Sequence, residues 1–123
     1  QVYARALQCY SNAARLDPRN FSFSWDFAQT YYSLEPLPVE NALQAWTNAH
    51  RLAPNEVDRQ GIYAHFARVK MLAGRLSEAR QHLEAVTDPK YAEMKTRLLR
   101  GIKERETSLR QADTSPIPEK TKP

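Results

Sequence analysis

The sequence predicts an all-α fold, an α-solenoid of antiparallel helix hairpins closed by a C-terminal capping helix. Three observations carry this expectation. Apolar residues recur at spacings of three and four almost throughout, the mark of helices with one buried stripe. The breaks between these stretches fall mostly on prolines or a glycine, and eight Pro stand against only three Gly, so turns are sharp rather than loose. One block of residue types and spacings then recurs along the chain, as it does in stacked repeats. No alternating apolar and polar run offers a strand; β-branched residues are thinly spread and alanine is abundant.

The elements follow in order. Tyr3 to Leu16 sets Tyr3, Leu7, Tyr10, Ala13 and Ala14 on one stripe. Asp17-Pro18 stops that helix, because a residue before proline avoids helical backbone angles. A second helix spans about Ser22 to Leu34, ahead of Pro36 and Pro38. Pro38, whose fixed φ suits a first helical position, starts a third that runs to about Ala53, before Pro54. A fourth covers about Val57 to Ala73 and ends at Gly74, a residue able to take the left-handed cap conformation. Ser77 caps a short fifth helix through Val86. Asp88-Pro89 opens a sixth that reaches about Gln111. Its Tyr91, Met94, Leu98 and Ile102 form an apolar stripe, and Glu93–Arg97 and Glu106–Arg110 are ion pairs four apart on exposed faces. The segment 113–123 holds three prolines and one large aliphatic residue, which predicts a disordered tail.

Composition excludes several classes. Only 41% of the 123 residues are apolar and no run of about 18 apolar residues exists, so no transmembrane helix and no membrane insertion are expected. The first twenty residues lack the apolar core of a signal peptide. A lone cysteine, Cys9, cannot close an intrachain disulfide and reads as a small buried thiol. A soluble protein is expected, with the cytoplasm favoured as its compartment. The start at Gln1 points to a piece of a longer protein. The formal charge of +4 is uneven: residues 1–56 carry four basic and five acidic side chains, whereas residues 57–112 carry twelve and seven.

The recurring block is the strongest signal. Ala6, Tyr10, Ala13 and Pro18 are spaced by four, three and five, and Ala42, Trp46, Ala49 and Pro54 repeat the pattern. A looser third copy has Ala79, Leu83 and Val86, with Pro89 displaced. Phe27-Ala28-x-x-Tyr31 and Tyr63-x-x-Phe66-Ala67 supply the other helices of the hairpins. These residues resemble the tetratricopeptide repeat (TPR), a unit of about 34 residues with W-x2-L-G-x2-Y in its first helix and A-x3-F with a closing P in its second. The resemblance covers residues 1 to about 93. Two departures stand out: Pro18 and Pro54 are 36 residues apart, the excess lying in the Leu34 to Val39 turn, and Lys70 occupies the aromatic position of the third copy. The resulting organisation is a helical repeat domain over 1–112, with a half repeat at 1–20, repeats at 21–56 and 57–88 and a capping helix at 89–112. Because one repeat cannot bury its own face, the helix Tyr3 to Leu16 is expected to pack on an upstream neighbour or to self-associate.

The resemblance implies a protein-interaction module, or scaffold, whose first helices line a concave groove for an extended peptide or a partner's helix. Helical geometry places Trp25, Gln29 and Tyr32 on one stripe, and His65, Arg68 and Met71 on the corresponding side of the fourth helix. These six are the candidate partner-binding residues. Trp25 and Tyr32 serve equally well as packing residues against a neighbouring repeat, and both readings stand. The chaperone-binding members of the family hold a C-terminal carboxylate with lysines and asparagines; Asp26 and Gln29 stand here instead, which disfavours that activity.

No enzyme, metal or cofactor is expected. His50, His65 and His82 lie on three different helices, no Gly-rich phosphate loop occurs, and no catalytic residue is assigned. The competing function is RNA binding through Arg97, Arg100, Lys103, Arg105 and Arg110 on the last helix, a basic set interrupted by Glu93, Glu104 and Glu106. A third reading is structural only, an end-cap for a longer solenoid.

Overall fold

The computed structural model describes Arg5, Gln8, Cys9 and residues 19–114. Among the described residues the secondary structure is helical, with no strand. Ala6, Tyr10, Ala13 and Pro18, most of the helix expected over Tyr3 to Leu16, and the segment 115–123 lie outside them. Cys9 is exposed rather than buried. It lies four residues from the exposed Arg5, and that spacing sets both on one helical face.

Helix α1 spans Phe21–Thr30 and continues into a 3-10 turn at Tyr31–Ser33. Asn20 caps it, its Oδ1 accepting from the Phe23 amide at 3.0 Å. Helix α2, Val39–Leu52, starts one residue after Pro38, which acts as the N-cap rather than the first helical residue. The Pro38 carbonyl accepts from the Ala42 amide at 2.9 Å. The helix ends before Pro54, as the proline rule requires.

Helix α3, Glu56–Leu72, is capped by Asn55, whose Oδ1 accepts from the Asp58 amide at 2.8 Å. Glu56 and Asp58 in its first turn and Lys70 in its last complement the helix dipole. Gly74 ends it at φ +82°, with Gly74 N–H bonding to the Met71 carbonyl and Arg75 N–H to the Lys70 carbonyl. This paired arrangement is the glycine C-cap that the sequence predicts. It leaves Arg75 as the residue before helix α4, Leu76–Glu84, so Ser77 falls inside the helix and does not cap it.

A 3-10 turn at Pro89–Tyr91, capped by Asp88, leads into helix α5, Ala92–Thr114. The helix therefore includes Asp113 and Thr114, the first two residues of the segment expected as a tail. Glu93 and Arg97 approach at 3.6 Å. Glu106 reaches across to Arg80 of α4 with two hydrogen bonds, at 2.7 and 3.1 Å, and the Arg110 charge also acts on its carboxyl. No helix among the described residues is long and apolar enough to cross a membrane.

Each helix packs on the next, and α3 also packs on α5. Two apolar cores result, with α3 between them. One holds Ala28, Ala42, Trp46, Ala49, Ile62 and Val69; the other holds Ala64, Ala67, Leu83, Val86, Leu98 and Ile102. The repeated residues Ala42, Trp46 and Ala49 and their counterparts Ala79, Leu83 and Val86 are all buried. Small residues let the helices approach while the larger ones fill the adjoining space. Lys70, in the place of the missing aromatic, pairs with Glu78 of α4 at 3.1 Å.

Two polar side chains hold the last loop. Gln60 is buried on α3, and its Oε1 accepts from the Thr87 and Asp88 amides at 2.8 and 2.7 Å while its Nε2 donates to Thr87 Oγ1. Lys95 Nζ donates to the Val86 carbonyl at 2.7 Å. Backbone groups left by the turn are thereby satisfied, and α5 is fixed in position against α3.

Candidate functional site

The side-by-side placement of α1 and α3 brings together residues separated by the repeat offset of 36: Gln29 with His65, and Tyr32 with Arg68. Behind them lies an aromatic cluster. The Trp46 indole stacks on the His65 imidazole at 4.0 Å and 9°, and Trp25 stands edge-on to both at 5.1 Å. Tyr32 Oη and His65 Nδ1 are hydrogen-bonded at 2.9 Å. The Arg68 guanidinium lies 3.8 Å above the Tyr32 ring, a cation–π contact that orients it.

Burial sets the protonation states. His65 is 6% exposed, and loss of hydration together with the Arg68 charge lowers its pKa to about 3, so it is neutral near pH 7. Burial likewise raises the Tyr32 hydroxyl above the ordinary tyrosine range. The Trp46 indole N–H is buried without a hydrogen-bond partner among the described residues. Tyr32 and the neutral His65 share one proton in their hydrogen bond.

Two grooves open beside this cluster. The first, of about 420 Å³, is lined by Gln29, His65, Arg68, Met94, Arg97 and Leu98. The second, of about 430 Å³, is lined by the turn residues Leu34 to Leu37 with Val39, Leu72, Tyr32 and Arg68. Arg68 belongs to both. Among the described residues it makes no ion pair, whereas the half-buried Arg59, Lys70 and Arg80 each have a carboxylate and Lys95 donates to the Val86 carbonyl.

Of the six candidate residues, Gln29, His65 and Arg68 share the first groove, and Tyr32 and Arg68 share the second. Trp25 is half-buried in the aromatic cluster and lines neither. Met71 is 8% exposed and packs in the core beneath α5, its Sδ beside Gly101. Sequence reasoning treated the apolar stripe of α5 as cap packing. Leu98 does pack there, but Met94, Leu98 and Arg97 also form one wall of the groove. The turn residues and Leu72 were missed as a wall too, although the two extra residues of that turn were visible as a departure from the repeat.

Among the described residues no group of three or more His, Cys, Asp and Glu side chains is arranged to hold a metal ion. No protein-family model and no curated protein matches the sequence.

Proposed function

We propose that the chain is a TPR-like solenoid segment acting as a non-catalytic protein-interaction module, and that the grooves along α1, α3 and α5 receive an extended peptide or a partner's helix. The observation that carries this reading is Arg68, a half-buried guanidinium without a carboxylate partner among the described residues, held over Tyr32 at the junction of two adjoining grooves. A cation in that setting lacks the compensation that proteins ordinarily give it. The neighbouring groups suit recognition better than proton transfer, because His65 and Tyr32 both stay neutral across the physiological range. Support for the repeat arrangement comes from the equivalent burial of Ala42, Trp46 and Ala49 and of Ala79, Leu83 and Val86.

Selection from a random peptide display library tests the proposal. Enriched peptides are expected to bind saturably, to compete with one another and to be lost in Arg68→Glu at unchanged helicity. Equal binding to that variant contradicts the groove. Salt-sensitive binding to a mixed-sequence single-stranded RNA, with no peptide enriched, would favour the basic surface of α5 instead.

A further inference from the structure

The two grooves differ in chemistry, and the difference specifies a ligand. The first has two guanidinium groups, from Arg68 and Arg97, an amide from Gln29 and the His65 imidazole, beside the apolar Met94 and Leu98. Among the described residues no acidic side chain lines it. Arg97 pairs with Glu93 at 3.6 Å with both side chains mostly exposed, a pair that exchanges readily for a better acceptor. His65 is more than nine-tenths buried, and its Nε2 has no protein partner among the described residues. His65 contributes a polar ring edge to this basic recess.

The second groove has more aliphatic side chains in its lining, with polar and apolar surface about equal. Leu34, Leu37 and Val39 form one side and Leu72, 46% exposed, the other, with Pro36 and the exposed Glu35 completing the lining. It exists because the turn between α1 and α2 runs from Leu34 to Pro38 with two prolines, the same stretch that lengthens the repeat. Arg68 stands between the two recesses and belongs to both.

We propose that the paired grooves form a bipartite site for an extended peptide carrying a large aliphatic side chain and a nearby Asp or Glu. The aliphatic group fills the recess of the Leu34–Val39 turn and Leu72, and the carboxylate is held by Arg68 and Arg97 beside His65. Charge complementarity selects the acid: charge-assisted bonds to guanidinium are the strong ones, and Arg68 is already oriented by its stack on Tyr32. This inference rests on the groove reading above and narrows it to one ligand chemistry.

The probe is a fluorescein-labelled peptide, acetylated and amidated, with one leucine and one glutamate in a glycine–serine background, made with one, two or three residues between them. Anisotropy titrations are expected to show saturable binding for at least one spacing. Replacing glutamate by glutamine, or leucine by alanine, should weaken that binding about tenfold or more. In Arg68→Gln the glutamate-to-glutamine change should lose its effect, and Leu72→Asp should abolish the leucine preference. Arg100→Gln, exposed and outside both linings, should bind as the parent does. A leucine peptide without glutamate but with a free C-terminus tests the other carboxylate source, and tighter binding of that peptide overturns the side-chain assignment.

A titration with succinate, followed through the His65 and Arg68 NMR signals, reads the anion recess without any peptide. Saturable shifts that disappear in Arg68→Gln support it, even if the peptide probe fails and the broader groove reading falls with it. Peptide binding that is indifferent to glutamine, with no succinate shift, leaves the groove standing and overturns the bipartite site.

Discussion

Acidification provides a direct measure of the His65 environment. In the folded chain its pKa lies near 3, lowered first by burial and then by Arg68, against the ordinary value of 6.5 in the unfolded chain. A depressed histidine pKa means that the unfolded state binds the proton first. Stability from this group is therefore complete above about pH 6.5 and falls with pH from there toward 3. Each unit corresponds to about 1.4 kcal/mol, so the loss between pH 7.5 and pH 5.0 is about 2 kcal/mol. The window stays above the range in which Glu78 and Glu106, both lowered by hydrogen bonds to Lys70 and Arg80, take up protons in the fold. His82 is also depressed, by partial burial and by Lys70, and its contribution has the same sign. A comparison with His65→Gln removes that shared part. Urea unfolding followed by circular dichroism should show the parent losing about 2 kcal/mol more than the variant across the window. Equal pH slopes for the two proteins would refute a neutral, largely buried His65.

Other substitutions test the packing that supports the grooves. Trp46→Ala removes a fully buried ring and should cost about 3–5 kcal/mol, read as a fall in melting temperature. Gln60→Ala leaves the Thr87 and Asp88 amides without their acceptor and should cost about 2–3 kcal/mol in urea unfolding. Gly61→Ala places a Cβ 2.6 Å from the Tyr91 hydroxyl, so thermal unfolding should show a loss of about 1–3 kcal/mol, partly recovered in the double variant with Tyr91→Leu. Gly74→Ala meets no steric neighbour but is forced to φ +82°, and calorimetry should record a loss of about 1–2 kcal/mol.

Much of the helix pattern was legible because its punctuation is local. Pro54, Gly74 and Asp88 each act on their own backbone, and each marks a break where the sequence places one. Spacings of three and four likewise identified Leu98 and Ile102 as buried residues of α5. Ser77 misled because a preferred capping residue says nothing of the preceding glycine cap, which sets where α4 can begin. Glu106 pairs with Arg80, 26 residues away, in addition to feeling Arg110 one turn on, and no local spacing encodes that distant partner. The same holds for Gln60, whose partners lie 27 and 28 residues along the chain.

The candidate site was legible to a similar depth. Helical periodicity placed Gln29, His65 and Arg68 on facing stripes, and the structure brings all three to one groove. Met71 followed from the same periodicity but is covered, because α5 folds back on α3. That packing is a property of the whole chain, and it both removes Met71 from the surface and adds Met94 and Arg97 to the groove. The stack of Trp46 on His65 depends on three elements meeting, and neither residue type signals it in isolation.

The central claim is that the face of α1, α3 and α5 around Arg68 receives a peptide, and amide and side-chain NMR mapping tests it most directly. Addition of the leucine–glutamate probe to the isotopically labelled chain should move the signals of Gln29, His65, Arg68, Leu72 and Arg97. The residues of the groove on the other side of α3, Leu43, Thr47 and His82, should stay in place. Shifts confined to that opposite groove, or no saturable shifts at all, would contradict it.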